Sequence, residues 1–293
     1  MELTEVKPCH KVKLKECNTG WAQNEEAKMM GKGELKDRAK KLLEINQQEL
    51  AEAQELLYAS HTYALLVILQ GMDASGKDGT IKHVMSGVNP QGCRVTSFKQ
   101  PSSTELDHDF LWRQCIALPE KGMIGIFNRS YYEEVLVVRV HQDLLDKQRL
   151  PPGKRGEKFW QNRFQDIAAF ERHLVRNGTV ILKFFLNISK EEQKKRFLER
   201  LDTPQKNWKF SAADLKERDY WEQYMAAYED MLSNTSSKWA PWYIIPADYK
   251  WIARSLAADI ITSSILCLDL KYPELNKEQL EGLKVAKKKL ESE

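Results

Sequence analysis

The 293-residue sequence lacks the features of a membrane, secreted or disordered protein. Its longest apolar runs, residues 64–69 and the interrupted run 260–268, are much shorter than the roughly 20 residues that a membrane helix needs. The N-terminal residues carry charges throughout and show no apolar signal-peptide core, so we expect a cytoplasmic protein without a membrane partner. With only 14 glycines and 10 prolines, and 42% hydrophobic residues, the composition indicates a folded globular chain.

Cysteine content and net charge exclude two further classes. Five cysteines at scattered positions favour free thiols over a disulfide framework or a zinc site, and the group Cys9, His10 and Cys17 is interpreted as incidental. The net charge of +3 is too small to indicate a nucleic-acid partner, and none is expected. A site for another polyanion would have to come from local clusters of basic residues.

The sequence does contain a regular alternation of strand and helix patterns. Short apolar runs rich in β-branched residues predict five buried strands, which begin near residues 63, 93, 122, 178 and 242. Amphipathic patterns predict helices at 79–87, 104–117, 159–176, 189–201, 212–233 and 249–269. This alternation predicts an α/β fold, with a parallel sheet flanked by helices on both faces.

The ends of the chain are expected to lie outside this domain. Residues 34–59 predict an amphipathic helix for packing or oligomerisation, and we expect a homo-oligomer, either a dimer or a tetramer. Residues 1–60 are therefore expected to form an N-terminal tail and helical extension, and residues 61–270 the main domain. Residues 271–293 predict a short peripheral helix or a tail.

Residues 67–80 form the most informative stretch. A predicted strand leads into Gly71, which begins the first seven positions of the phosphate-binding pattern G-x-x-x-x-G-K-[ST]. In such a loop (the P-loop, residues 71–77) backbone N–H groups and a helix N-terminus hold phosphate, while the lysine adds a movable charge. The alternative is a glycine-rich turn with an exposed lysine. The candidate phosphate-binding residues are Gly71, Ala74, Ser75, Gly76, Lys77, Asp78 and Gly79.

Two carboxylates make this loop unusual. Asp78 replaces the Ser or Thr that usually binds Mg²⁺, and it can instead cap the helix that follows. Asp73 lies inside the loop, where a phosphate would repel it unless a cation intervenes. Mg²⁺ between Asp73 and phosphate oxygens removes this conflict, so Asp73 is the predicted metal ligand, with Mn²⁺ as the alternative cation.

The strand predicted near residue 122 ends in a second polar group. P-loop proteins usually carry an Asp at such a strand end to help hold Mg²⁺, and Asn128 takes that place here. Its neutral amide could still contribute an oxygen to the metal, while Arg129 can reach phosphate directly. His141 is interpreted as an ordinary histidine and not as a catalytic base. The predicted catalytic residues are Asp73, Lys77, Asn128 and Arg129.

Two basic segments follow. Residues 147–163 carry six Lys or Arg against one acid, in a stretch with prolines and glycines. This pattern predicts a mobile lid at about 145–165 that closes over an anionic substrate. In the second basic segment, at about 190–210, Arg196 and Arg200 are four residues apart and would grip successive phosphates from one helix face. A solvated surface is the alternative for part of this segment.

A nucleotide site is predicted less directly. Asn89, Pro90 and Gly92 lie in a loop that we expect to line the cleft at the carboxyl ends of the strands, although ordinary turn chemistry explains them equally well. Arg113, on the next predicted helix, could also face the cleft.

Six motifs taken together resemble the polyphosphate kinase 2 family. They are GMDASGKDGT, SGVNPQGCRVTSF, HDFLWR, FNRSYYEEVLVVRVH, TPQKNWKFS and APWYIIPAD, and they occur between about residues 34 and 270. The Asn in FNRS and the residues after it resemble class III of the family.

The resemblance implies a P-loop kinase fold like that of thymidylate kinase, with a helical lid. It also implies Mg²⁺-dependent phosphoryl transfer from inorganic polyphosphate to AMP and ADP, which yields ADP and ATP. Asp73, Lys77 and Arg129 would be the central residues, and Asn128 matches the class III pattern. The remaining alternatives are an ATP-dependent nucleotide kinase on the same fold and a non-catalytic polyanion-binding protein. The implied polyphosphate-binding residues of the two basic segments are Arg155, Lys158, Arg163, Arg196, Arg200 and Lys209.

Overall fold

The computed structural model describes residues 5–22 and 25–293 and has one central sheet. The strand order is β1-β6-β5-β2-β4-β3. All neighbouring pairs among β2 to β6 are parallel, so the predicted parallel sheet is confirmed. The strands are β1 (Glu5–Val6), β2 (Ala64–Gln70), β3 (Cys93–Ser97), β4 (Ile124–Asn128), β5 (Thr179–Asn187) and β6 (Trp242–Pro246).

The central strand β2 owes its position to its composition. All seven of its residues are buried, as a parallel strand covered on both faces requires. Leu69 near its end pairs with Asn128 on one side and with Phe184 on the other. The carboxyl ends of β2, β4 and β5 therefore meet at one edge of the sheet, and the residues that follow these strands are brought together there.

Helices cover both faces of the sheet. They are α1 (Glu25–Met30), α2 (Lys32–Ser60), α3 (Lys77–Val84), α4 (Ser103–Leu106), α5 (Trp112–Ile116), α6 (Val137–Val140), α7 (Asp143–Lys147), α8 (Glu157–Arg176), α9 (Lys190–Asp202), α10 (Ala212–Asp219), α11 (Trp221–Thr235), α12 (Lys250–Leu266) and α13 (Lys277–Glu291). Short 3₁₀ turns lie at Leu14–Glu16, Pro90–Gly92, Tyr131–Val135 and Pro204–Lys209.

Two of the predicted helices are divided. The helix predicted at 104–117 is split into α4 and α5, because the Asp109 side chain accepts from the Leu111 N–H and forms a turn between them. The helix predicted at 212–233 is split at Tyr220, which leaves helical geometry between α10 and α11. Polar side chains that bond to nearby backbone compete with a continuous helix, and periodicity alone does not reveal this.

The N-terminal segment contributes to the core. Strand β1 pairs antiparallel with β6, so the sheet is mixed at this edge. Val6, Val12 and Leu14 are buried, and the Val12 N–H donates to Ser233 Oγ at 2.9 Å. Residues 271–293 are exposed throughout. The division of the chain into a tail, a domain and a second tail stays a prediction.

The described helices include none that is both long enough and apolar enough to cross a membrane.

Candidate active site

The P-loop joins β2 to α3 at the carboxyl edge of the sheet. Gly71 has φ 150°, and a Cβ atom there would lie 2.8 Å from the Leu186 carbonyl oxygen. Gly76, with φ 106°, adopts a conformation that residues with side chains rarely take. Both glycines of the pattern are therefore required by the backbone, as a loop wrapped around an anion demands.

Lys77 lies at the start of α3 and folds back over the loop. Its ammonium group donates to the carbonyl oxygens of Gly71 at 2.6 Å and of Met72 at 3.2 Å. Burial, and next the charge of Arg129, lower its pKa to about 8. The loop therefore holds a cation that is close to losing its proton under mildly alkaline conditions.

The two carboxylates of the loop region are each matched by a residue at the end of β4. Asp73 Oδ1 lies 2.7 Å from Arg129 Nη2, and Asp78 Oδ1 accepts from Asn128 Nδ2 at 2.6 Å. Of the residues that the sequence predicts to be catalytic, Asp73 and Arg129 are therefore in direct contact, whereas Asn128 contacts Asp78. The two contacts also tie the P-loop and the first turn of α3 to the end of the neighbouring strand.

Arg129 holds an unusual backbone conformation. Its φ of 64° lies in the left-handed region, which costs free energy for a residue with a side chain. Burial alone would lower its pKa, but the carboxylates of Glu133 and Asp73 together raise the pKa above its ordinary value. Arg129 is thus a permanent cation in a strained turn.

A cleft of about 640 Å³ opens in front of the P-loop (the P-loop cleft). Predicted residues in its lining include Asp73, Arg200 and Lys209. Basic side chains from five separate parts of the chain converge on it. They are Lys77, Lys99, Arg129, Arg196, Arg200, Lys206, Lys209, Lys250 and Arg254.

Sequence reasoning missed Lys250 and Arg254 on α12. Burial lowers the pKa of both groups, and the nearby charge of Arg196 lowers it further. This crowding of positive charge indicates a surface arranged for a polyanion. One signal was present, since Lys250 and Arg254 lie four positions apart at the start of a helix that is mostly apolar.

Arg196 lines the cleft, but its side chain binds other groups of the protein. Its side chain is almost fully buried, and Nε donates to Glu192 at 2.9 Å. Its two terminal nitrogens donate to four carbonyl oxygens, those of Ala74, Ser75, Ala247 and Asp248. All five N–H donors of Arg196 thus hold backbone oxygens or Glu192. A contact of Arg196 with phosphate, together with Arg200, stays a prediction.

A second cavity, of about 440 Å³, adjoins the cleft (the side cavity). It shares Phe98, Lys99 and Arg129 with the P-loop cleft. Its volume is in the range of small-molecule sites. Apolar side chains form much of its wall, namely Phe98, Pro101, Leu106, Phe110, Val137, Val138 and Leu144.

Polar groups also line the side cavity. Arg113, a predicted site residue, donates to the Lys99 carbonyl oxygen at 2.7 Å and lies over the Phe98 ring. Burial raises the pKa of Glu133, although the charges of Arg129 and Lys77 oppose this effect. His141 pairs with Glu217 of α10 at 2.9 Å. Sequence reasoning did not single out Glu133 or Glu217.

The first basic segment does not reach the P-loop cleft. Arg155 pairs with Asp146 at 2.8 Å, and Arg163 pairs with Glu134 at 3.0 Å between the rings of Phe110 and Phe159. Lys158 is exposed, and none of the three basic residues lines the cleft. The two arginines are paired with acids in this arrangement, and the binding of polyphosphate by these three residues stays a prediction. From the predicted lid, Lys147 and Gln148 line the side cavity.

The predicted nucleotide loop lies elsewhere as well. Asn89 caps the turn Pro90–Gly92 through the Gln91 N–H, and Gly92 packs against Gln54 of α2. None of the predicted residues Asn89, Pro90 and Gly92 lines either cavity. A loop that leads into a parallel strand lies at the amino end of that strand, so this loop lies opposite the P-loop and not at the carboxyl ends of the strands. Its role in nucleotide binding stays a prediction.

The oxygen donors near the P-loop fit a hard divalent cation. Asp73 and Asp78 offer carboxylates, and Asn128 offers an amide oxygen. In residues 5–22 and 25–293 no group of three or more His, Cys, Asp or Glu side chains gathers to form a complete cage. Mg²⁺ typically takes one or two protein carboxylates and completes its shell with phosphate oxygens and water, so this donor set suits a cation that arrives with phosphate.

The sheet, the P-loop after β2 and the basic cleft together define a P-loop kinase. Residues 34–273 match the family described as Polyphosphate kinase 2 (PPK2), and the chain belongs to this family.

Similar proteins agree with this assignment. The chain is 56% identical over 242 residues to an ADP-polyphosphate phosphotransferase of Rhodopseudomonas palustris, covering 82% of this chain and 84% of that protein. It is 47% identical over 239 residues to an AMP/ADP-polyphosphate phosphotransferase of Meiothermus ruber, covering 82% and 85%. The solved structure of polyphosphate kinase 2 from Arthrobacter aurescens TC1 superposes with a TM-score of 0.78 at 40% identity, covering 86% of this chain and 87% of that one.

Proposed function

We propose that this protein transfers phosphoryl groups from inorganic polyphosphate to AMP and ADP, forming ADP and ATP. The observation that carries the proposal is the position of Arg129, whose side chain lines both the P-loop cleft and the side cavity. A group that passes between ligands in these two cavities would pass Arg129. Two similar proteins carry names for this chemistry, one with ADP and one with both AMP and ADP.

Polyphosphate is the donor that suits the P-loop cleft. The basic side chains there outnumber the acidic ones, which are Asp73, Asp78, Glu199 and Asp214. An anion with one charge or more on every phosphate unit satisfies such a surface along its length. Arg200, Lys206, Lys209, Lys250 and Arg254 are proposed to bind donor phosphates beyond the reacting one.

The side cavity suits the nucleotide. Its apolar wall can cover a base, and its volume of about 440 Å³ accommodates a nucleoside. Arg113 and Lys99 lie on its lining and are proposed to bind the acceptor's phosphate, which must point toward Arg129 for transfer.

Catalysis is proposed to rest on position and charge. Lys77 and the P-loop N–H groups hold the transferred group, and Arg129 offsets charge that develops on it. An acceptor phosphate is already ionised near neutral pH, so no strong general base is required. Mg²⁺ held by Asp73, with Asn128 nearby, would neutralise charge on the phosphate oxygens, and Mn²⁺ could replace it. The cytoplasmic location and the dimer or tetramer stay predictions.

The proposed function is tested by supplying one of two phosphoryl donors. Purified protein is given AMP and Mg²⁺ with either polyphosphate or ATP, and nucleotides are separated over time. Formation of ADP and then ATP with polyphosphate supports the proposal, with the Lys77→Ala variant as the inactive control. Product with ATP alone would instead indicate an ATP-dependent nucleotide kinase. Salt-sensitive polyphosphate binding without any product would indicate a non-catalytic polyanion-binding protein.

A further inference from the structure

A fully buried polar network lies behind the turn that carries Arg129. Glu171 of α8 and Lys183 of β5 form an ion pair of 2.6 Å, and both side chains are almost completely shielded from solvent. The hydroxyls of Tyr131 and Tyr132 donate to the same Glu171 oxygen at 2.9 and 2.7 Å. The two residues that follow Arg129 and Ser130 are thus attached to one buried carboxylate.

In this network the Lys183 ammonium group has a hydrogen-bond acceptor for each of its protons. The Lys183 ammonium donates to Glu171, to the Tyr132 hydroxyl at 3.0 Å and to the Thr235 carbonyl oxygen at 2.8 Å. These three contacts use all of its protons. Burial, and next Glu171, raise the pKa of both tyrosines, so the hydroxyls keep their protons and stay donors.

Stability alone does not account for such a group. Apolar residues of similar volume replace buried ion pairs with little or no loss of stability in many proteins. The turn above the network, in contrast, needs support. Arg129 has a left-handed backbone, and such strain persists only where the surroundings fix the chain on both sides.

The supports lie on both sides of Arg129. On its N-terminal side, its own N–H donates to the Leu69 carbonyl oxygen of β2 at 3.1 Å. On its C-terminal side, Ser130 is fully buried and accepts from the Tyr132 N–H, and the two tyrosines reach Glu171. The Arg129 side chain is thereby left to contact Asp73 at the mouth of the cleft.

We propose that Glu171, Lys183, Tyr131 and Tyr132 are positioning residues for phosphoryl transfer, which act by holding Arg129 at the junction of the two cavities. The inference rests on the role of Arg129 in the proposed function. Loosening the network lets the turn relax, and the Arg129 side chain then spends less time where charge develops. This should lower kcat more than it weakens substrate binding.

The test compares one change in two backgrounds. Tyr131→Phe/Tyr132→Phe removes two hydroxyls and keeps both rings. In the parent protein we expect kcat to fall about tenfold or more, with KM for AMP and polyphosphate changed less than about twofold. In the Arg129→Ala background, assayed at high enzyme concentration, the same pair should cost less than about twofold, because the residue it positions is gone. Tyr243→Phe, on β6 and outside the network, is the matched control and should keep the parent kcat.

A second variant guards against simple misfolding. Tyr131→Phe/Tyr132→Phe/Glu171→Leu/Lys183→Met leaves no buried charge in the network and should fold with a thermal midpoint near that of the parent. Its kcat should still fall about tenfold. Parent-like kcat in this folded variant, or an equal loss from the tyrosine pair in both backgrounds, overturns the inference. Parent-like activity of Arg129→Ala itself would overturn the proposed role of Arg129 and the positioning role with it.

Discussion

Asn128 Nδ2 donates to Asp78 Oδ1 at 2.6 Å, and this contact joins the end of β4 to the first turn of α3. The acid is favourable at the N-terminus of a helix, where the backbone N–H groups are unpaired. The Asn128 amide is favourable because its N–H group donates a hydrogen bond to the Asp78 carboxylate. A carboxylate at position 128 would lack this proton, so the residues at 78 and 128 depend on each other.

Asn128→Asp should therefore lower stability when divalent cations are removed. Two carboxylates in contact repel each other, and we expect the thermal midpoint to fall by about 3 °C or more. Mg²⁺ should recover much of this loss by binding between them. If Asn128 also tunes acceptor choice, the ratio of AMP to ADP use will change. Thermal unfolding with and without Mg²⁺, and rates with each nucleotide, measure both effects.

The exchanged pair is the control for this prediction. Asp78→Asn/Asn128→Asp restores one donor facing one acceptor in the reverse sense and should return the midpoint to within about 2 °C of the parent. A single variant as stable as the parent without cation would contradict the pairing, and an unchanged nucleotide ratio would remove Asn128 from acceptor choice.

Lys77→Ala and Asp73→Asn should each reduce turnover strongly while the fold persists. Removing one fixed group that stabilises transferring charge typically costs about 10²- to 10³-fold in kcat. Asp73→Asn should in addition raise the Mg²⁺ concentration needed for half-maximal rate. Steady-state rates across a Mg²⁺ titration test this, with circular dichroism as the check on folding. Near-parental kcat in either folded variant would contradict its assignment.

The lowered pKa of Lys77 predicts a pH dependence. The ammonium form binds phosphate and predominates below about pH 8, so kcat/KM for polyphosphate should fall as pH rises through about 8. The same shift should make the unliganded protein gain stability between about pH 8 and 10.5, because the unfolded chain binds more protons there. Lys77→Arg keeps its charge and should lose the alkaline fall, whatever its absolute rate. An identical fall in that variant would assign it to another group.

The double variant Lys250→Ala/Arg254→Ala should selectively weaken the binding of polyphosphate, the phosphoryl donor. Loss of two cations from α12 should raise KM for polyphosphate about tenfold and leave KM for AMP almost unchanged. The dependence of this KM on salt should also become shallower. Lys238→Ala is the matched control, since Lys238 is exposed and precedes the amino end of β6. Equal effects on both substrates would mean that the α12 residues do not belong to the donor site.

Arg196→Met should destabilise the protein and loosen the P-loop. It leaves Glu192 and four carbonyl oxygens without their donor, and we expect the free energy of unfolding to fall by about 3 kcal/mol. Denaturant unfolding measures this loss. Lys195→Met, at the exposed neighbouring position, should change it by less than about 0.5 kcal/mol. A similar small change for Arg196→Met would show that its contacts contribute little.

The sheet and the centre of the site were predictable because local signals specify them. Apolar runs gave the five parallel strands, and the rule that parallel strands end together brought Asp73, Lys77, Asn128 and Arg129 to one place. The contact of Asn128 with Asp78 was not predictable, since it depends on how β4 lies beside α3. The two-residue strand β1 was missed because so short a segment has no periodicity to read.

The positions of several charged residues could not be predicted, for a physical reason. The charge density of their segment indicates a lid over an anion, but it does not reveal that Asp146 pairs with Arg155 and Glu134 with Arg163. Conversely, Lys250 and Arg254 lie far along the chain from the P-loop, and only the packing of α12 beside α3 brings them to the cleft. Counting charges in a segment does not reveal which of them find partners within the fold.

The five donors of Arg196 have a consequence for how the site is assembled. They connect α9 to the P-loop, 121 and 122 positions earlier in the chain, and to the residues that follow β6, 51 and 52 positions later. Contacts between such distant segments form late, because they require closure of long intervening loops. We therefore expect the P-loop to reach its final geometry only once β5 and β6 have docked, so that the ability to bind phosphate marks a completed fold.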